Sequence, residues 1–111
     1  MEPDALEAAV DRAALAAILE ARGRNHEAVE TLRDVLPTLE AILGPDHYEV
    51  GMTLSDLGVM HMSAGRFAEA DVALTRSAVI LERVLGASHP VAATCRRRRE
   101  EARSRRKGRS G

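Results

Sequence analysis

The stretch Leu43-Gly44-Pro45-Asp46-His47 returns 42 residues later as Leu85-Gly86-Ala87-Ser88-His89. Sliding residues 23–50 onto 65–92 makes ten of 28 positions identical. Random pairing at ordinary composition gives roughly two. The identities include Gly23/Gly65, Arg24/Arg66, Ala28/Ala70, Leu32/Leu74, Leu39/Leu81 and His47/His89. A fixed period of this size marks a helical repeat array. Such arrays present extended surfaces and seldom carry chemistry of their own. Backwards the register weakens but persists, with Pro3, Asp4, Glu7 and Leu15 matching Pro45, Asp46, Glu49 and Leu57. Forwards it fails after Ala92, where the places of Leu54, Leu57 and Gly58 hold Arg96, Arg99 and Glu100. The chain therefore starts near a repeat boundary and opens a third unit without completing it.

The 111 residues are the size of one domain, and 45% of them are hydrophobic. Aromatics are nearly absent, with one Tyr, one Phe and no Trp. The core must therefore be aliphatic, which suits helix-on-helix packing. No apolar run is long enough for a transmembrane helix, and the acidic start lacks the basic region of a signal peptide. A lone Cys95 excludes an internal disulfide and points to a reducing, cytoplasmic setting. The net charge of −1 hides an asymmetry. Residues 1–95 carry 7 basic and 15 acidic side chains, and residues 96–111 carry 9 and 2.

Five helices follow from apolar spacings of three and four residues. The first spans about Asp4 to Arg22, opened by an Asp4–Glu7 capping box and stopped by Gly23. The second spans Asn25 to Leu43, with Ala28, Leu32, Val35, Leu36, Leu39, Ile42 and Leu43 on one face. Pro37 lies inside it. An interior proline removes a backbone hydrogen bond at about 3 kcal/mol, yet the stripe continues, so a kinked single helix is expected. The alternative is a break near Leu36. The third spans Asp46 to Ala64, with a second capping box at Asp46 and Glu49. The fourth spans Phe67 to Leu85, with Phe67, Ala70, Leu74, Ala78, Leu81 and Leu85 on its stripe. Ser88 is the expected N-cap of a fifth helix that tolerates Pro90 in its first turn. The stretch from Gly108 onward is expected to be disordered.

Leu54-x2-Leu57-Gly58-x2-His61 followed by Ala70-x3-Leu74 resembles the tetratricopeptide pattern W-x2-L-G-x2-Y, then A-x3-F. The Gly65-Arg66 turn between paired helices fits it, and HEAT or armadillo repeats would not predict that turn. The 42-residue period with its LGPDH linker is similar to the longer tetratricopeptide repeats of kinesin light chains and many bacterial regulators. The resemblance implies an all-α superhelix of about two repeats, 2–43 and 44–85, with a partial third helix from 88. The repeat domain covers 2–95, and 96–111 forms a basic, partly disordered tail. Gly58, Ala28 and Ala70 are small where antiparallel helices approach. Leu15, Leu57, Leu32 and Leu74 are large where a gap must be filled. Two repeats are near the lower limit for a stable stack, so marginal stability, self-association or membership of a longer array is expected.

The resemblance also implies a concave face lined by the first helix of each pair. By position this face holds Val10, Ala13 and Ala17 in the first repeat and Met52, Ser55, Asp56, Val59 and Met62 in the second. The Asn and Lys with which many family members clamp a peptide carboxylate are replaced by Ala13, Ala17 and Asp56, so such a clamp is not expected. A shallow, methionine-bearing groove for a partner peptide remains.

Arg96, Arg97, Arg98, Arg99 and Arg103 lead the basic tail. They can bind anions such as nucleic acid, weakly and without sequence preference. They can instead cover the open end of the stack, or fold onto the acidic body of this chain or a second copy. His47 and His89 sit in separate linkers without companion ligands, so they are read as packing residues rather than metal ligands. No arrangement supports a catalytic thiol at Cys95, and no phosphate-cradling loop is present. The chain reads as a protein–protein interaction module, not an enzyme, with no cofactor and no membrane partner. The alternatives are a nucleic-acid accessory protein or the C-terminal regulatory segment of a larger signalling protein.

Overall fold

The computed structural model describes residues 4–110, with side chains through Gly108. Pro3, the first residue of the backward repeat match, lies outside them. Five helices follow in order: α1 (Ala5–Ala21), α2 (Asn25–Leu43), α3 (Tyr48–Ser63), α4 (Phe67–Leu85) and α5 (Pro90–Ser110). Each packs on the next along the chain, and α3 also meets α5. This is the all-α stack of helix pairs that the 42-residue period implies. Alternate helices α1, α3 and α5 line one side.

Helix starts differ from expectation. Asp4 does cap α1, accepting from the Leu6 N–H at 2.9 Å. Asp46 and Ser88 do not cap the later helices. The N-cap of α3 is His47, whose Nδ1 accepts from the Glu49 N–H at 3.0 Å. His89 Nδ1 accepts from the Val91 N–H at 3.1 Å in the same way. The preceding turn sets this up. Gly44 and Gly86 take φ of 97° and 94°, a region costly for any residue with a Cβ. Their carbonyls then accept from the His47 and His89 N–H groups.

Pro37 sits in an unbroken α2, on its exposed side. The break near Leu36 does not form, because Val35 and Leu39 on either side are fully buried.

Three clusters fill the core. Ala16, Ala28, Val29, Leu32, Leu57 and Met60 join α1, α2 and α3. Ala9, Val35, Leu39, Val50, Leu54 and Ile80 join α1 to α4. Ala70, Leu74, Ala78, Leu81, Ala92, Cys95 and Ala102 seal α4 to α5. A Cβ on Gly58 would lie 2.5 Å from Leu74 Cγ, so α3 and α4 touch through that glycine. In the first pair Ala16 takes its place. Ser77 Oγ reinforces the second pair by donating to the Gly51 carbonyl at 2.7 Å, fully buried.

Two packing expectations are corrected. Leu15 does not fill a gap: it is 47% exposed, whereas its repeat partner Leu57 is buried. Leu57 is covered by α2, and no helix precedes α1 among the described residues. Ile42 is likewise exposed at 46%, off the buried stripe of α2.

The basic segment is also corrected. It is not a loose tail. Residues 96–110 continue α5, and no end falls at Gly108. Ala92, Cys95 and Ala102 are buried at spacings of three and seven, which gives α5 an apolar stripe despite its charge.

Candidate peptide groove

Three cavities tile the side formed by α1, α3 and α5. The first, about 240 Å³, lies between α1 and α3. It is lined by Val10, Ala13, Ala14 and Ala17 on one wall and Glu49, Met52 and Asp56 on the other. The second, about 290 Å³, lies between α3 and α5, with Met52, Ser55, Asp56, Val91, Thr94 and Arg98. The third, about 260 Å³, continues along the same two helices through Val59, Met62, Arg98, Glu101 and Arg105. Met52 and Asp56 belong to the first two cavities, and Arg98 to the last two. The three therefore form one groove.

The lining follows from helical spacing. Side chains three and four residues apart stack on one face. In α1 the face next to the buried Ala9 and Ala16 carries Val10, Ala13 and Ala17. In α3 the corresponding face carries Met52, Ser55, Asp56, Val59 and Met62. All eight positions expected to contact a peptide thus line this groove. Of the neighbouring methionines of α3, Met60 is core and Met62 is half-buried on the groove wall.

Asp56 and Arg98 are the charged groups at its centre. Neither side chain makes a hydrogen bond or ion pair among the described residues. Burial between the groove walls pushes the Asp56 carboxyl above its ordinary range; Arg98 pulls it down and Glu49 pushes it further up.

The arginines expected to bind anions do not converge. Arg96 turns back to Glu82 at 3.1 Å and to the Ala87 carbonyl at 2.7 Å. Arg103 donates to Asp71 at 3.0 Å and to Thr75 at 3.2 Å. Arg99 packs its stem, with its side chain 22% exposed. Arg97 reaches Thr94 at 3.2 Å. Arg98 enters the groove. The basic segment has folded onto the acidic body, one of the options its charge allowed.

Asp71 is the residue that sequence reasoning missed. Its carboxylate is nearly buried and accepts from Thr75 (3.1 Å), Arg103 and Arg106 (3.3 Å). Burial alone would raise its pKa. The hydrogen bonds from Arg103 and Thr75, with the charges of Arg103 and Arg106, outweigh it and hold the carboxyl below its ordinary range. The available signal was an acidic residue on the α4 face, opposite a run of arginines.

A further cavity of about 390 Å³ opens on the other side, between α2 and α4 over the back of α3. Leu54, Leu57 and Ala73 line it, with the 71%-exposed Val72 and with His61, Glu69, Arg33 and Arg76. Its charges are partly engaged: Arg76 binds Glu40 at 2.6 Å, and Glu69 stands 3.5 Å from His61 Nδ1. Burial lowers the His61 pKa; Glu69 raises it, and Arg66 and Arg33 lower it further.

Among the described residues no group of three or more His, Cys, Asp and Glu side chains is placed to hold a metal ion. No described helix is long and apolar enough to cross a membrane.

The geometry is that of paired helices stacked to leave a groove along alternate helices. The sequence profile of the tetratricopeptide repeat family matches residues 6–77. Over 93 residues the chain is 33% identical to Protein KINESIN LIGHT CHAIN-RELATED 1 of Arabidopsis thaliana, covering 84% of this chain and 15% of that protein. The chain belongs to the tetratricopeptide repeat family, whose repeats are in general protein–protein interaction modules.

Proposed function

We propose that the chain binds a partner peptide in the groove of α1, α3 and α5 as a non-enzymatic scaffold. The observation that carries this reading is the continuity of the three cavities through the shared side chains Met52, Asp56 and Arg98. An adaptable methionine wall suits a partner with apolar side chains. The single thiol, Cys95, is buried and free, which fits a reducing compartment, and we place the module in the cytoplasm.

The test uses a random peptide library displayed on phage and selected on the full chain. Val59→Glu with Met62→Glu puts charge on the groove wall and is expected to abolish binding of the selected peptides. Circular dichroism checks that the variant keeps its helices. Unchanged binding by a folded variant overturns the reading.

A further inference from the structure

The groove is not electrically uniform. The α1–α3 end carries carboxylates at Glu49 and Asp56, over a wall of Val10, Ala13 and Ala17. Past Met52, the α3–α5 cavities carry Arg98, which shares the first of them with Asp56, and the Arg105–Glu101 ion pair, whose charges offset each other. The repeat register shows how the difference arises: equivalent positions hold Ala14, Asp56 and Arg98 in α1, α3 and α5. Charge therefore changes sign along the path that an extended peptide would follow.

Most other arginines of α5 are tied to α4 or within their own helix: Arg96 to Glu82, Arg103 and Arg106 to Asp71, Arg105 to Glu101. Asp56 and Arg98 feel each other's charge but are not within ion-pair distance. Two opposite charges face one groove, each without a bonded partner among the described residues. Between them lie Met52 and the polar Ser55 and Thr94, and Val10, Ala13 and Ala17 supply apolar wall beside Asp56.

We propose that the partner segment carries a lysine or arginine and, further along, an aspartate or glutamate. This rests on the groove reading above. The basic side chain enters the α1–α3 cavity, laying its methylene stem along Val10, Ala13 and Ala17 with its charge at Asp56 and Glu49. Long cationic side chains bury their stems in this way while the head group meets a polar partner. The acidic residue meets Arg98 in the neighbouring cavity, where a planar guanidinium binds a carboxylate through paired hydrogen bonds. A peptide of uniform charge would set one of its charges against a like charge, which selects against it.

The experiment repeats the phage selection on the full chain, on Asp56→Lys and on Arg98→Glu. On the native chain the selected peptides are expected to share a Lys or Arg and, separated from it, an Asp or Glu. Asp56→Lys is expected to shift the basic position to Asp or Glu and to weaken binding of the native-selected peptides at least about tenfold. Arg98→Glu is expected to shift only the acidic position. Peptides that need an intact Val59 and Met62 but show no such charges, or keep the same preferences on both charge variants, overturn the inference and leave the groove reading standing. Peptides that bind the folded Val59→Glu/Met62→Glu variant equally well overturn both.

Discussion

A neutral imidazole offers one ring nitrogen as an acceptor. At His47 and His89 that nitrogen is Nδ1, aimed at the N–H two residues on. The histidine that recurs in each linker is thus a helix cap. His47→Ala is expected to cost about 1 kcal/mol in urea unfolding, and His47→Asn, which retains an acceptor, only a fraction of that. The sequence pointed to Asp46 and Ser88 because those residues are the stronger cap formers. What decides the cap is the backbone turn set by Gly44 and Gly86, which places the histidine one residue later at the helix entrance.

Gly58 shows the opposite case, where residue type alone was informative. Its missing Cβ is what lets Leu74 sit against α3. Gly58→Ala is expected to destabilise the chain by about 1–3 kcal/mol, despite the better helix propensity of alanine, because Leu74 must leave its rotamer.

His61 titrates with a consequence for stability. Its pKa in the fold lies below the ordinary 6.5. As pH falls through 6.5 the unfolded chain takes up a proton that the folded chain resists, so stability present at neutral pH is lost on acidification. Urea midpoints are expected to fall from about pH 7 to about pH 5, and to fall less in His61→Gln. An equal fall in both proteins contradicts the assignment.

At the scale of elements, α5 is the part that composition described least well. Its mean character is strongly polar, and the loss of leucines at Arg96 and Arg99 suggested an end to packing. The helix instead packs through alanines and one cysteine, and the arginines reach outward from that stripe to carboxylates on α4. Two alanines and a cysteine spaced at three and seven residues are a weak signal beside a run of arginines. Asp71 is the anchor. Asp71→Asn is expected to cost about 2 kcal/mol, since hydrogen bonds to a charged group are worth more than neutral ones. Hydrogen exchange is expected to show α5 opening before α3 and α4 in that variant. Uniform exchange across all helices contradicts the anchoring role.

The paired positions Leu15 and Leu57 make a second element-scale test. Repeat register makes them equivalent, yet one is half in solvent and the other buried. Leu57→Ala is expected to cost about 2–5 kcal/mol and Leu15→Ala about 0.5 kcal/mol. Similar costs at both sites would mean that α1 is covered as α3 is.

At the scale of the molecule, the period carried most of the information. A repeat that recurs at 42 residues fixes which helices pair and which alternate, and alternate helices must line one side. The family resemblance named the side lined by the first helix of each pair, and the register then placed Val10, Ala13, Ala17, Met52, Asp56 and Met62 on it. The sign change along the groove could not be placed in this way. It depends on which arginine of a dense run points away from α4, and Arg98 is distinguished from its neighbours only by rotation about the helix axis. The cavity over the back of α3 was not read either: it opens between Arg33 of α2 and the α4 residues Glu69, Val72 and Arg76, and the charges on those side chains mask its apolar floor of Leu54 and Leu57.

If partners bind on the side of α1, α3 and α5, amide chemical-shift mapping of the isotope-labelled full chain with a selected peptide bound is expected to show the largest shifts at residues 10–17, 52–63 and 91–105. Shifts concentrated instead at Arg33, Val72 and Arg76, around the cavity between α2 and α4, would contradict binding on that side.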